Sequence, residues 1–183
     1  AMNGMSVSVN DYNNDGYFDI YSTNIEVGNK MFVNNKDLTF TESANELGIS
    51  FNGIGWGSQF QDFDLDGYED IYVSGSIIGT DPLSSAYYSN IFGKYFTLNS
   101  SVGLEMDTVS SFGNGIGDFN NDGLPDIVVL NNFPSNSFLF KNTYAGPNNW
   151  IKVNLIGLES NNDGYGSILE LYSRDLIQTR LSH

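Results

Sequence analysis

The chain has 183 residues, 22 of them acidic and 7 basic, for a formal net charge of −15. That balance argues against nucleic acid as a partner, because neutralising phosphates needs a basic face. Cysteine is absent, which excludes disulfides and thiolate metal centres, and no apolar run is long enough to span a bilayer.

Ala1 and Met2 read as an expression remnant, and the chain is expected to begin partway into a larger protein. Met5, Val7 and Val9 alternate with Ser6 and Ser8, which predicts a strand with one apolar face. It leads into an acidic loop carrying Asp11, Asn13, Asp15, Gly16, Tyr17 and Asp19. The same loop recurs with Asp62, Asp64, Asp66, Gly67, Tyr68 and Asp70, and again with Asp118, Asn120, Asp122, Gly123, Leu124 and Asp126. Each places carboxylate or amide oxygens at positions 1, 3, 5 and 9 and Gly at position 6. A hard cation such as Ca²⁺ takes six to eight oxygens, and a turn at Gly folds the odd-numbered side chains around it. Position 7 (Tyr17, Tyr68, Leu124) would contribute its backbone carbonyl, so its side chain is free to vary. Three ions are expected, with a structural role. Each would tie the strand before its loop to the strand after it, with no open coordination position.

An EF-hand is the weaker reading. It needs a bidentate Glu at position 12 and flanking helices, whereas position 12 here is Ser22, Val73 or Val129. The residues after position 9 (Ile20 and Tyr21, Ile71 and Tyr72, Ile127 and Val128) are β-branched or aromatic, so each loop leads into a strand. Ten of the acidic residues are Asp at loop positions, so the negative charge is partly a metal-site signature. Extracellular sites of this kind bind at about 10⁻⁴–10⁻³ M, which points to a secreted or surface-exposed protein.

The loops recur at spacings of 51 and 56 residues, a period that suggests propeller blades. Short strands are expected at 30–33 and 39–41 after the first loop, so that each unit holds four, the content of one blade. The run Phe112 to Gly123, with Gly113, Gly115, Gly117 and Asp118, resembles the motif of the FG-GAP/VCBS calcium-loop propeller repeats. Asn29 to Asn34, Thr39-Phe40 and Glu46 to Ile49 resemble the subtype found in cartilage acidic protein and its bacterial relatives. Trp150, Val153, Leu155 and Gly157, followed by Asn161, Asp163, Gly164 and Gly166, are similar to the ASPIC/UnbV domain that follows such propellers. The resemblance implies an all-β fold. It divides into propeller blades over 1–147 (units 1–52, 53–109 and 110–147), then the start of an ASPIC/UnbV-like domain over 148–183 with a trailing β-hairpin. Three blades are fewer than a propeller usually closes with, so the sequence reads as the C-terminal part of one. Leu38 departs from the family turn, where Gly would supply positive φ, and a different turn is expected there.

Nothing in the sequence assembles a catalytic constellation. The single histidine is His183, so a Ser-His-Asp arrangement is absent. Glu26, Asp37, Glu42, Glu46, Asp81, Glu105 and Asp107 are acids outside the loops and read as solvated surface charge. Glu159 to Gly164 repeats part of the loop spacing and reads as a hairpin turn between strands at Ile151 and Ile168, with a fourth metal loop as the alternative. Tyr12, Phe63 and Phe119 at loop position 2 are expected to pack between blades. Trp56, Tyr87 and Tyr88 read as packing residues, with a glycan platform as the alternative. The stretch 75–85, with Asp81 and Pro82, reads as a surface excursion. The expected function is a non-enzymatic module for adhesion, matrix or glycan binding, with a protein or glycan ligand at the cell surface. The alternative is an accessory part of a calcium-dependent polysaccharide-degrading enzyme. Open apolar faces containing Val7, Val9, Ile20 and Tyr21 are expected to drive self-association.

Overall fold

The structure, a computed structural model, describes residues 3–25, 28–77, 84–158, 161–173 and 176–182. Glu26, Asp81, Pro82, Glu159 and His183 lie outside the described residues. Every regular element among the described residues is a strand, and every strand pair is antiparallel. The first sheet runs β1 (Gly4–Asn10), β2 (Asp19–Asn24), β3 (Lys30–Asn34), β4 (Phe40–Glu42), in that spatial order. The second repeats it with β5 (Gly53–Gln61), β6 (Asp70–Ile77), β7 (Ala86–Ile91) and β8 (Tyr95–Leu98). The third has three strands, β9 (Ser111–Gly117), β10 (Asp126–Asn131) and β11 (Phe138–Phe140). A hairpin of β12 (Ile168–Ser173) and β13 (Leu176–Leu181) follows. Among the described residues no sheet closes into a barrel. This is an all-β arrangement consistent with a fragment of a β-propeller.

In each repeated sheet the acidic loop is the turn between the first and second strands, so period-2 patterning brings the chain up to the loop and away from it. Neighbouring sheets meet through their leading strands, β1 and β2 against β5, then β5 and β6 against β9. Two cores result. Tyr12, Tyr21, Met31, Ile49, Phe51, Phe60, Ile71 and Tyr88 fill the first, and Phe63, Tyr72, Tyr87, Ile127 and Val129 fill the second. Burial of each such side chain is worth about 1.5–3 kcal/mol. Tyr87 and Tyr88 are adjacent on β7, so their side chains leave opposite faces and serve different cores. Both are buried, Tyr87 to 9% and Tyr88 to 5% exposure. One residue of each leading strand falls in a bulge, near Ser6, at Trp56 and at Phe112. The bulges at Trp56 and Phe112 aim the two rings at each other, with centroids 5.3 Å apart.

Several expectations need correction. No strand forms at Ile151–Leu155: residues 141–158 are irregular, and Ile151 and Val153 are exposed. The trailing hairpin joins β12 to β13 instead, because Ile168 finds its partner at Leu181. Among the described residues the third sheet has three strands and not the four its repeat predicts. Tyr21 is fully buried rather than part of an open face; its hydroxyl donates to the Ile49 carbonyl and accepts from Asn29. Phe119 is 52% exposed, whereas its equivalents Tyr12 and Phe63 are buried between sheets. Leu38 does adopt positive φ (71°), so the turn keeps its shape despite the missing glycine.

Candidate metal centres

The three loops fold alike. The position 1 carboxylate accepts two backbone N–H groups from across the turn. Asp11 takes those of Asp15 and Gly16 at 2.9 Å each. Asp62 takes those of Asp66 and Gly67 at 3.0 and 2.9 Å, and Asp118 those of Asp122 and Gly123 at 3.0 Å each. The position 3 oxygen (Asn13, Asp64, Asn120) accepts from the N–H of position 5. The position 5 carboxylate (Asp15, Asp66, Asp122) accepts from the N–H of position 7, which belongs to Tyr17, Tyr68 or Leu124. The turn therefore folds the odd-numbered oxygens inward, as the spacing predicted. It requires left-handed backbone twice. Position 6 is Gly16, Gly67 or Gly123, with φ of 86°, 94° and 86°. Position 4 is Asn14 or Asn121 in the outer loops, a residue that tolerates this region, but Leu65 (φ 58°) in the middle one.

The position 9 carboxylates Asp19, Asp70 and Asp126 are all buried. Each accepts a backbone N–H from an asparagine at or just past the end of the third strand of its sheet: Asn34, Asn90 and Asn142, at 2.8 Å in every case. The side chains of two of these asparagines reach further. Asn90 Nδ2 donates to the Tyr12 carbonyl and Asn142 Nδ2 to the Phe63 carbonyl, position 2 of the preceding loop in each case. The first and second loops are thereby braced to the next sheet. The sequence reading missed this role; its signal is an Asn following each position 9 Asp at offsets of 15, 20 and 16 residues.

Buried carboxylates crowd the first two loops, where Lys36 pairs with Asp15 at 3.2 Å. Burial pushes Asp19, Asp62 and Asp70 up to about 7, with neighbouring loop carboxylates adding to the effect. Burial also raises Asp11 and Asp66. Asp19 Oδ2 is buried with no hydrogen-bond partner among the described residues. Oxygens of Asp62, Asp64 and Asp66 all lie within 4.8 Å of one another. Around the third loop the Asp122 carboxylate is held below its ordinary range by its bond from Asn120 and by Lys141 at 3.4 Å. An oxygen-only donor set with a buried, unpartnered carboxylate oxygen fits a divalent cation such as Ca²⁺.

Asp107 is not surface charge. It is 2% exposed, and Oδ2 accepts the Tyr72 hydroxyl at the edge of the second core. Asp37, Glu42 and Glu105 sit at the surface, where Asp37 caps Thr39 and Glu42 pairs with Lys30 at 3.4 Å. Near the chain end, Asn161 to Gly164 form a tight turn with Gly164 N–H donating to the Asn161 carbonyl. There the left-handed residue before the glycine is Asn161, at position 3 of the notional loop rather than position 4. The β12–β13 hairpin rests on the middle loop, where Arg180 pairs with buried Glu69 at 3.2 Å.

Residues 11–73 match the family model described as an FG-GAP-like repeat. The matched stretch starts at the first oxygen of the first loop and ends inside β6, spanning two of the three loops. No curated protein matches the chain.

Proposed function

We propose that the chain is part of a calcium-stabilised β-propeller module of the cell surface or extracellular space, whose work is adhesion or the binding of matrix or glycan rather than catalysis. The observation that carries the calcium reading is the convergence of Asp62, Asp64 and Asp66 oxygens within 4.8 Å of one another, in a loop whose geometry recurs at Asp11–Asp19 and Asp118–Asp126. The match to an FG-GAP-like repeat supports the propeller reading, and the likeness of 148–183 to an ASPIC/UnbV domain belongs to the same proposal. Asp11, Asn13, Asp15 and Asp19 would hold one ion, Asp62, Asp64, Asp66 and Asp70 a second, and Asp118, Asn120, Asp122 and Asp126 a third. The carbonyls of Tyr17, Tyr68 and Leu124 would complete the sets. In the first two loops the ion would neutralise carboxylates that burial otherwise disfavours, and each ion would tie the strand before its loop to the strand after it.

Calorimetric titration with Ca²⁺, paired with thermal melts, tests this. At about 100 times the dissociation constant each independent site adds about 2.7 kcal/mol, so chelation lowers the melting temperature markedly. The middle loop, with four carboxylates, binds tightest. Asp66→Ala therefore loses more calcium affinity than Asp15→Ala or Asp122→Ala. A melting curve unmoved by verified metal removal refutes the calcium role.

A further inference from the structure

We propose that the third sheet takes its fourth strand from a partner: an extended peptide carrying an aromatic side chain, which pairs with β11 and seats its ring in a cavity beside Phe63. The repeat supplies an internal comparison. In the second sheet β8 lies against β7 with Phe96 opposite Asn90. Phe96 packs on Tyr12 of the preceding loop at 5.7 Å, and its N–H donates to the Leu47 carbonyl. The backbones approach so closely there that a Cβ on Gly48 would meet the Phe96 carbonyl at 2.9 Å.

The corresponding parts stand beside the third sheet without that strand. Asn142 takes the role of Asn90, Phe63 that of Tyr12, and Val102-Gly103-Leu104 that of Leu47-Gly48-Ile49. Gly103 has the same left-handed backbone as Gly48 (φ 87° against 78°), yet no described residue lies within 4 Å of its Cβ position. Among the described residues β11 pairs only with β10. Where Phe96 would be repeated there is a cavity of about 500 Å³, lined by Phe63, Tyr87, Leu104, Phe140 and Asn142 among others. Phe63, Tyr87 and Ile127 belong both to this lining and to the second inter-sheet core, so the cavity continues an interface already formed. An open strand edge beside an aromatic-lined pocket is the arrangement that recognises an added strand: the backbone ladder gives affinity and the pocket selects the side chain. The inference is independent of the metal.

The probe is a peptide with the sequence of residues 93–99, the segment that supplies β8. Calorimetry on the whole chain, with hydrogen exchange across Phe138–Asn142, is expected to show one-to-one saturable binding and new protection of β11 amides. The same peptide with Phe96→Ala binds at least about tenfold more weakly. Val102→Trp, at a half-exposed position lining the cavity, weakens the intact peptide by a similar factor without lowering the melting temperature. If that variant unfolds, Thr143→Trp at another exposed lining position replaces it. No binding, equal binding of both peptides, or undiminished binding to the filled cavity overturns the proposal. So does a chain dimer that Val153→Pro dissociates and that the peptide does not displace, since the edge would then belong to residues 150–156 of a second copy.

Discussion

Leu38 stands 97% exposed at φ 71°, a conformation that crowds a side chain against its own carbonyl. Left-handed backbone costs an ordinary residue about 1–2 kcal/mol, and glycine returns about 0.5–1 kcal/mol of that as unfolded-state entropy. Leu38→Gly is therefore expected to stabilise the protein by about 0.5–1 kcal/mol in denaturant melts, and a loss of stability would show that the turn is not strained. Asn90 works in the opposite sense. It is 4% exposed, and its side chain donates to the carbonyls of Tyr12 and Glu69 and accepts the Gly93 N–H. Asn90→Ala strands three backbone groups, and a buried group left unpaired costs about 1–3 kcal/mol. The expected loss is about 2–4 kcal/mol. Asn34 is less buried, and among the described residues its side chain bonds Phe18 and Lys36 alone, so Asn34→Ala is expected to lose less. Equal losses would remove the bracing role from Asn90.

The first and second acidic loops are elements whose stability changes sign with the cation. Without metal, Asp19, Asp62 and Asp70 ionise near 7 in the folded chain because burial disfavours their charge, against about 3.9 unfolded. The folded state then holds more protons than the unfolded one. Its stability is fully present below about pH 4 and is lost as pH rises toward about 7. A bound divalent cation favours the ionised oxygens and depresses those values, so that contribution is present at neutral pH and is lost on acidification. Melting temperature between about pH 5 and pH 7 is therefore expected to fall in chelator and to rise in excess Ca²⁺. Parallel curves under the two conditions would mean that the loops do not exchange protons for metal.

At the scale of the molecule, three sheets in a row leave two outer faces. Val7 on β1 is 64% exposed, and at the other end Phe119 and Leu139 are 52% and 62% exposed. On β1 the small polar Ser6 and Ser8 turn inward to meet Ser58, while Met5, Val7 and Val9 face out. Contiguous exposed apolar surface of this kind favours association. Sedimentation at rising concentration is expected to show reversible self-association that Val7→Ser with Val9→Ser weakens and Val153→Pro does not. A monomer at every concentration would mean that these faces are too small or too polar to drive pairing. The −15 charge opposes association, so added salt or Ca²⁺ is expected to strengthen it.

The sequence by itself determined the loops and the strands around them. Those depend on local rules: glycine where φ must be positive, oxygens on odd positions, and apolar residues alternating into and out of each loop. Leu38 marks the limit of such rules, since the rest of its turn, with Lys36 also left-handed, holds the shape against the residue's preference. Tertiary structure decided whatever depends on which faces meet. Tyr87 and Tyr88 look alike in sequence but serve different cores, because successive side chains on a strand leave opposite faces and this strand lies between two neighbouring sheets. Asp107 reads as a surface acid and is buried, because Tyr72 from β6 reaches it across 35 residues. Residues 150–156 alternate like a strand yet form none, because a strand exists only where another edge offers it hydrogen bonds. The asparagine brace between sheets was visible only as a spacing; its partner carbonyls come from residues 78 and 79 positions away, a contact that no local pattern encodes.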